Sequence, residues 1–469
     1  MYRYTLPSTS AVSFTDHFQT DTYHAELMLA TQLRATVEQV VRDAQSAQAE
    51  TIRVVQAVTE YLPVLTGIYN CVLTDAVLVR HEPEFVWRSA LDRSAKCALH
   101  GLAAELCAVH TLLGMAYVNE AAATVDALGL YELDTSVDNV VRRQNDERLK
   151  VAADLLCRAA GVFEYVATQL LPRWSAEAPR PPELTHDVSV ALARVAMADA
   201  HRLALRKLQS PALALATDTL TPGPPLPAGH PSPALLAKLH LHAASLYEQG
   251  TSLVRTHDAR TPDAADAEMR RARQAVHKVK TTLQTLRTHT AAALDVRTDT
   301  RLVRYAEHEA RWHRALAHKW LGIDAGEHAD CVGVGLAHLG AAREQLQRIV
   351  PKGLEDGEGK RRVPLWEQRR AAKFHGDLTL WWMSVEAASV GRWHDAYRRV
   401  NDSVSFQRVP RLSELQYASE GRAALVAKPF EPPAPRFGPA GSEVVDATQC
   451  VGLGAREARG QYAGAGAYY

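Results

Sequence analysis

From Thr22 onward apolar residues recur at intervals of three and four, the period of helices that bury one face. Leu102, Leu106, Val109 and Leu113 share such a face. Between Glu147 and Arg173 the residues Leu149, Leu155, Leu156, Val162, Phe163, Val166 and Leu170 form one broad apolar arc. Lys150, Asp154, Arg158 and Glu164 fall opposite it, and Pro172 closes the helix. Further helices are predicted over Thr185–Leu208, Ala234–Thr256, Ala264–Leu294, Arg301–Leu321, Cys331–Val350, Leu365–Val390 and Trp393–Asn401. Only Tyr2–Phe14, where Thr, Ser and Val alternate with Tyr and Phe, reads as strand, a small hairpin or an edge.

Prolines divide this pattern. Pro179–Pro182 separates two helices, and Pro211–Pro233, with Pro222, Gly223, Pro224, Pro225, Pro227, Gly229 and Pro231, reads as a flexible surface insertion. Residues 351–363 form a charged loop, and the Pro- and Gly-rich stretch 428–469 reads as a disordered tail. The predicted fold class is all-α, a helical bundle joined to a tetratricopeptide-like solenoid, with a small N-terminal β-hairpin. The turn Gly322–Glu327, followed by Gly335, Ala337, Leu339 and Ala342, is like one tetratricopeptide helix pair, because small residues let two helices approach closely. No 34-residue period accompanies it. The domain is expected to span 1–427.

Acidic and basic residues balance at 53 each in 469 residues, so no global field draws the chain to nucleic acid or an anionic membrane. Cys71, Cys97, Cys107, Cys157, Cys331 and Cys450 contain no C-x-x-C pair, and those on helical patterns read as small buried hydrophobes in a reducing compartment. No secretory signal opens the chain and no run of eighteen apolar residues interrupts it. The expected location is cytoplasmic, with membrane contact only by recruitment.

Catalytic chemistry is not legible. Twenty histidines include no H-E-x-x-H and no Cys/His cluster at ligand spacing. His308, His313 and His318 are five apart, which turns neighbours about 140° around a helix. Phosphate-loop, dinucleotide and nucleophile-elbow motifs are missing, and Gly333-Val334-Gly335 reads as helix packing. The expectation is a non-enzymatic protein without cofactor or metal. Basic stretches at Arg270–Lys280 and Arg361–Lys373 read as solvated helix faces, the second also as a candidate for an acidic membrane surface.

Three stretches, in this order and spacing, resemble the BRO domains of the Alix-like family. They are Leu149–Ala153 leading to Ala159–Tyr165, then Ala196-Met197-Ala198-Asp199-Ala200-His201, then Ala234–Leu239 continuing to Ala243, Ala244 and Tyr247. Tyr4–Ser10, His318–Glu327, Asn401–Gln407 and Lys428-Pro429-Phe430 are similar to the branch of that family serving fungal ambient (alkaline) pH signalling. The resemblance implies a boomerang-shaped adaptor whose concave face binds the C-terminal amphipathic helix of an ESCRT-III subunit. In that branch the adaptor connects a membrane pH-sensing complex to proteolytic activation of a transcription factor. The resemblance also implies recruitment to plasma-membrane or endosomal ESCRT sites. The alternative partner for such a scaffold is a different peptide, a receptor tail or a protease.

Carried over by position, the family's docking residues are Asp146, Lys150, Ala204, Leu235, Lys238 and Leu239. Many relatives have a large aromatic at the position of Ala204, and its loss removes roughly 1–3 kcal/mol of burial; Leu203 or Leu205 could compensate. Around the third helix Leu235, Leu239 and Leu246 edge an apolar arc that runs through Ala243, Leu236 and Tyr247. Lys238, His242 and Gln249 sit beside that edge, so Leu236 and Tyr247 are expected in the core and Leu235, Lys238 and Leu239 at the partner.

Overall fold

The structure, a computed structural model, describes residues 1–46, 50–92, 96–133, 137–174, 180–214, 223–260, 300–349, 377–415 and 421–438. The helix predicted at Ala264–Leu294, both basic stretches, the loop 351–363 and the chain after 438 lie outside them.

The N-terminal segment is an edge, and the hairpin it joins comes later in the chain. Strand β1 (Ser8–Thr9) pairs antiparallel with β4 (Glu84–Arg88), which pairs with β5 (Lys96–His100) in the register Phe85↔Leu99 and Trp87↔Cys97. Alternation along β4 and β5 sends Phe85, Trp87 and Leu99 into the core. A short helix α1 (Phe14–His17) leads into β2 (Phe18–Gln19), which pairs with β3 (Leu78–Val79). Beyond these strands and the turns and loops that join the elements, the described chain is mainly helical. The long helices are α2 (His24–Gln45), α3 (Thr51–Leu73), α4 (Leu102–Leu128), α5 (Asn139–Tyr165), α6 (His186–Ala214), α7 (Pro233–Arg260), α8 (Thr300–Glu327), α9 (Val332–Ile349) and α10 (Asp377–Val400). Each packs on its sequence neighbour from α2 to α5, from α5 to α7, and from α7 through α8 and α9 to α10.

Where the expected boundaries move, tertiary packing moves them. Helix α5 starts at Asn139, capped by Asp138, and ends in a π-turn and a 3-10 turn that carry it to Arg173. The expected turn Gly322–Glu327 is the last turn of α8, and the chain reverses after it, with Asp330 at positive φ. Gly322 still does what the small-residue pattern predicts. A Cβ there would lie 2.9 Å from the Gly335 carbonyl oxygen, so the α8–α9 crossing admits only glycine. The predicted break between Val390 and Trp393 does not exist, because Gly391 is accommodated inside the continuous helix α10.

Two apolar cores form. The larger is built from the strands and α1–α6, with Leu246 and Tyr247 of α7 and Leu302, Ala306 and Ala310 of α8. The smaller joins Leu205, Leu236 and Leu239 to Trp312, Trp320, Leu339, Trp393 and Tyr397. The described part of the Pro-rich insertion is tucked against this second core rather than held off it. Gly223 lies on the Trp393 ring, Leu226 is half-buried there, and His230 packs on Trp320 at 5.2 Å.

Helix α4 is apolar enough to span a bilayer by length and composition, yet 83% of its most apolar window is buried among its neighbours. Its buried carboxylate, Glu105, is matched. Glu105 accepts from Arg34 at 2.9 Å and from the Trp87 indole at 2.7 Å, and Arg34 also donates to Thr9 and Ser10. One ion pair thus clasps β1, α2, β4 and α4. Removing one partner of a buried pair strands the other charge. Arg34→Ala is expected to cost about 3–5 kcal/mol, read as a lowered midpoint of chemical unfolding.

Candidate partner-docking site

Helices α5, α6 and α7 run antiparallel in succession. Glu164 of α5 meets Arg194 of α6, and Glu147 meets Lys207. Asp199 of α6 meets Tyr247 of α7, and His201 meets His242. The pairing Glu147–Lys207 sets the start of α5 beside the end of α6, and the antiparallel turn into α7 brings the Leu235–Lys238 region to that same end.

The motif Ala196–His201 serves two ends. Asp199 is fully buried and accepts from the hydroxyls of Tyr247 at 2.7 Å and Tyr305 at 2.5 Å, locking α6 to α7 and α8. Beside it Arg202 lies 3.5 Å from Glu309. His201 faces the other way, toward an extended strap, residues 421–438. Its Nδ1 donates to the Met197 carbonyl at 2.7 Å, so Nε2 accepts the backbone N–H groups of Ala424 and Leu425 at 3.2 and 3.4 Å.

The strap continues across the bundle. Arg422 N–H donates to the Lys238 carbonyl of α7, and Gly421 presses so close to the His242 backbone that a Cβ would lie 2.3 Å from its nitrogen. Lys428 N–H donates to the Cys157 carbonyl of α5, while its ammonium pairs with Asp154. Gly161 has no room for a side chain because the Lys428 carbonyl seats on it. Phe430 packs on His110 and Tyr165, Arg436 N–H reaches the Pro63 carbonyl, and Phe437 lies on Gly67 and Tyr23. Prolines here mark a fitted extended segment, so the disorder expected from Lys428 does not hold for residues 428–438.

The sequence-derived residues lie on the same stripes as the strap's footholds, one turn farther along. On α5, Lys150, Asp154, Cys157 and Gly161 share a stripe, with Asp146 a turn before Lys150. On α6, Ala204 follows His201, and on α7, Leu235 precedes Lys238. Asp146 is half-buried and accepts from the Tyr131 hydroxyl. Lys150 is exposed and lies 3.5 Å from Glu147. Ala204 and Leu235 are half-buried, and the Lys238 side chain is exposed. Leu239 departs from the expectation: it is 4% exposed and belongs to the second core, since the arc it edges is covered by α8–α10 packing. Leu203 and Leu205 are also core, one in each cluster, so neither stands on the outer face with Ala204.

Two further residues join this patch. Lys207 bonds Glu147 at 3.2 Å, and this bond, with Lys150 next, holds the Glu147 carboxyl below the ordinary range. Val151 is 58% exposed beside Lys150. A valine on a solvated stripe was the readable signal for it; Lys207 is one turn from Ala204. The patch is therefore half-buried aliphatic surface ringed by Lys150, Lys207 and Lys238, with Asp146 and Glu147 as its acids.

Histidine pairs hold the neighbouring helices. His313 meets His240 at 2.8 Å and His318 meets His338 at 3.1 Å, each across a helix interface rather than along its own helix. Burial lowers all four, to about 4 for His313, His318 and His338. Among the described residues no group of three or more His, Cys, Asp or Glu is placed to hold a metal ion.

This architecture has known counterparts. The BRO1-like domain profile matches residues 10–447. The chain belongs to the BRO1-like domain family. Among curated BRO1 relatives, the "pH-response regulator protein palC" of Cryptococcus neoformans var. neoformans serotype D (strain B-3501A) is 32% identical over 93% of both chains. Two solved BRO1 structures share the fold. The "ALIX BRO1 CHMP4C complex" is 16% identical, with a TM-score of 0.57 over 93% of this chain and 98% of that one. The second, described as "Structure basis for endosomal targeting by the Bro1 domain", is 13% identical, with a TM-score of 0.54 over 91% and 92%.

The His201 contact is expected to make strap seating in this BRO1 domain pH-dependent. Burial lowers His201 from 6.5, the bond to the Met197 carbonyl offsets part of that, and the neighbouring His242 lowers it a little further. A lowered histidine stabilises the docked form fully above 6.5, and that contribution is lost as pH falls toward the folded value. Protonated Nε2 would face two N–H donors. His242 on α7 is the titratable ring packed against it and is itself lowered by burial. Limited proteolysis within 421–438 is expected to rise between pH 7 and pH 5 (about two units below neutrality, spanning the histidine range). His201→Gln, which keeps an acceptor but does not titrate there, should flatten that rise, and an unchanged rise would refute the assignment.

Proposed function

We propose that this chain is a non-enzymatic adaptor of alkaline-pH signalling, and that its patch on α5, α6 and α7 docks the C-terminal amphipathic helix of an ESCRT-III subunit. The adaptor would connect a membrane pH-sensing complex to proteolytic activation of the PacC transcription factor. It would work from the cytoplasm at plasma-membrane or endosomal ESCRT sites. Support for the pathway comes from the palC relative, alike over 93% of both chains. Support for the mode comes from the BRO1 fold, which in ALIX is solved with CHMP4C.

The observation that carries the site is the division of one helical face. The strap covers His201, His242 and Cys157, whereas Lys150, Lys207 and the Lys238 side chain, one turn on, remain open to solvent or half-open. Three ammonium groups around aliphatic surface suit a helix with an apolar stripe and acidic flanks. The apolar part contributes affinity, and the cations contribute register and encounter rate.

Titration with the isolated ESCRT-III helix tests this reading. Lys238→Glu and Leu235→Asp are each expected to weaken binding about tenfold or more, near 1.4 kcal/mol, without loss of helicity. Ala204→Phe should tighten it, because Leu203 and Leu205 point into the cores and supply no apolar side chain on that outer face. Leu239→Asp would unfold the second core and so cannot report on the site. Unchanged affinity in both surface variants would contradict the site. No affinity for the helix in the wild type, with capture of a receptor tail or protease peptide instead, would replace the partner.

A further inference from the structure

The segment Asn401–Gln407, which closes α10, is not used by the docking patch, and its geometry is unusual. After a π-turn over Asn401–Ser405, Phe406 adopts the left-handed conformation, φ +46 and ψ 32. That region is unfavourable for a bulky side chain and tolerable for Asn or Gly. The conformation is nevertheless held at every point. Phe406 N–H donates to the Asn401 carbonyl at 2.8 Å, and the buried Asn401 amide bonds both backbone groups of Gln407 at 2.9 and 3.0 Å. Gln407 in turn bridges the α8–α9 turn, donating to the Asp330 carbonyl at 2.8 Å and accepting from Gly333 N–H at 2.9 Å. Gly333 is required because a Cβ would lie 2.4 Å from the Arg408 carbonyl oxygen.

All this bonding serves to point apolar side chains outward. Phe406 is 75% exposed and Val404 71%, with Val400, Val409 and Leu412 exposed around them. A turn that only ended the helix would be better served by Asn at 406. The rim is basic. Residues 398–414 carry Arg398, Arg399, Arg408 and Arg411 against Asp402 and Glu414, four charges minus two, a surplus of two. Both acids are already engaged, Asp402 by Arg398 at 3.7 Å and Glu414 by Arg408 at 2.9 Å. Asp395, one turn back, faces His394.

We propose that this rigid tip, Val404 and Phe406 rimmed by arginines, is a direct contact with an anionic lipid bilayer. The projecting side chains fit a bilayer rather than a partner helix, because they stand out from the surface and, among the described residues, line no groove. An aromatic and a valine can enter the headgroup–acyl boundary while guanidinium groups stay at anionic headgroups. The contact adds to recruitment through protein partners and is separate from the patch on α5–α7.

The test is co-sedimentation of the full chain with vesicles of phosphatidylcholine, with and without phosphatidylserine. Binding is expected only to the anionic vesicles and should weaken as salt rises. Phe406→Asn removes the ring while suiting the left-handed backbone, so its melting temperature should hold or rise while vesicle affinity falls by about tenfold. Its affinity for the isolated ESCRT-III helix should equal that of the wild type, so this proposal and the docking proposal fail separately. No sedimentation of the wild type with anionic vesicles, or equal sedimentation of Phe406→Asn, would overturn it.

Discussion

Asp199 is the point on which the arrangement of the functional helices depends. A carboxylate with no exposure is costly unless its oxygens are bonded, and here the Tyr247 and Tyr305 hydroxyls bond one of them. Since those rings come from α7 and α8, the need to match one buried group fixes three helices against each other. Arg202 and Glu309, adjacent to it, extend the same polar seam. The two apolar cores meet at this seam, and the surface outside it is where α5, α6 and α7 present their outer stripes in a constant relation.

The strap is the second determinant of that surface. It is tied to α7 through Lys238, to α6 through His201, to α5 through Cys157 and Asp154, and to α2 and α3 through Phe437. Besides the Lys428–Asp154 ion pair and the Phe437–Tyr23 ring contact, the ties use what a helix leaves available: a second lone pair on a carbonyl, a histidine acceptor, or the bare backbone at Gly161 and Gly67. By covering one part of the outer face it defines the remainder, where the lysines cluster. A docked partner helix would therefore abut the strap, and strap seating and partner binding share His201 as a neighbour.

Much of this was legible in the sequence, and the failures have physical causes. Period-three-and-four spacing located the helices because each buries a stripe, and the BRO-like stretches ordered the three that matter. Wheel position put Lys150 on a solvated face, whereas Leu235 and Lys238 came with the BRO resemblance, Leu235 at the edge of its helix's apolar arc and Lys238 beside it. Leu239 was not, since an edge position becomes core once α8–α10 pack against it, and no wheel shows which neighbour arrives. The β4–β5 hairpin was missed although Glu84–Arg88 alternates, because five residues are too short to stand out among helices. The strap and the tip at Phe406 rest on long-range hydrogen bonds, Ala424 to His201 and Gln407 to Gly333, that no local pattern encodes.

The central claim is that the partner helix lies on the open part of the α5–α6–α7 face, beside the strap. Photo-crosslinking from residues along the bound ESCRT-III helix, with adduct sites read by mass spectrometry, tests it most directly. The account predicts adducts concentrated at Glu147–Val151, Ala204–Leu208 and Leu235–Lys238. Adducts confined to α9 and α10, or to the strand region, would contradict it.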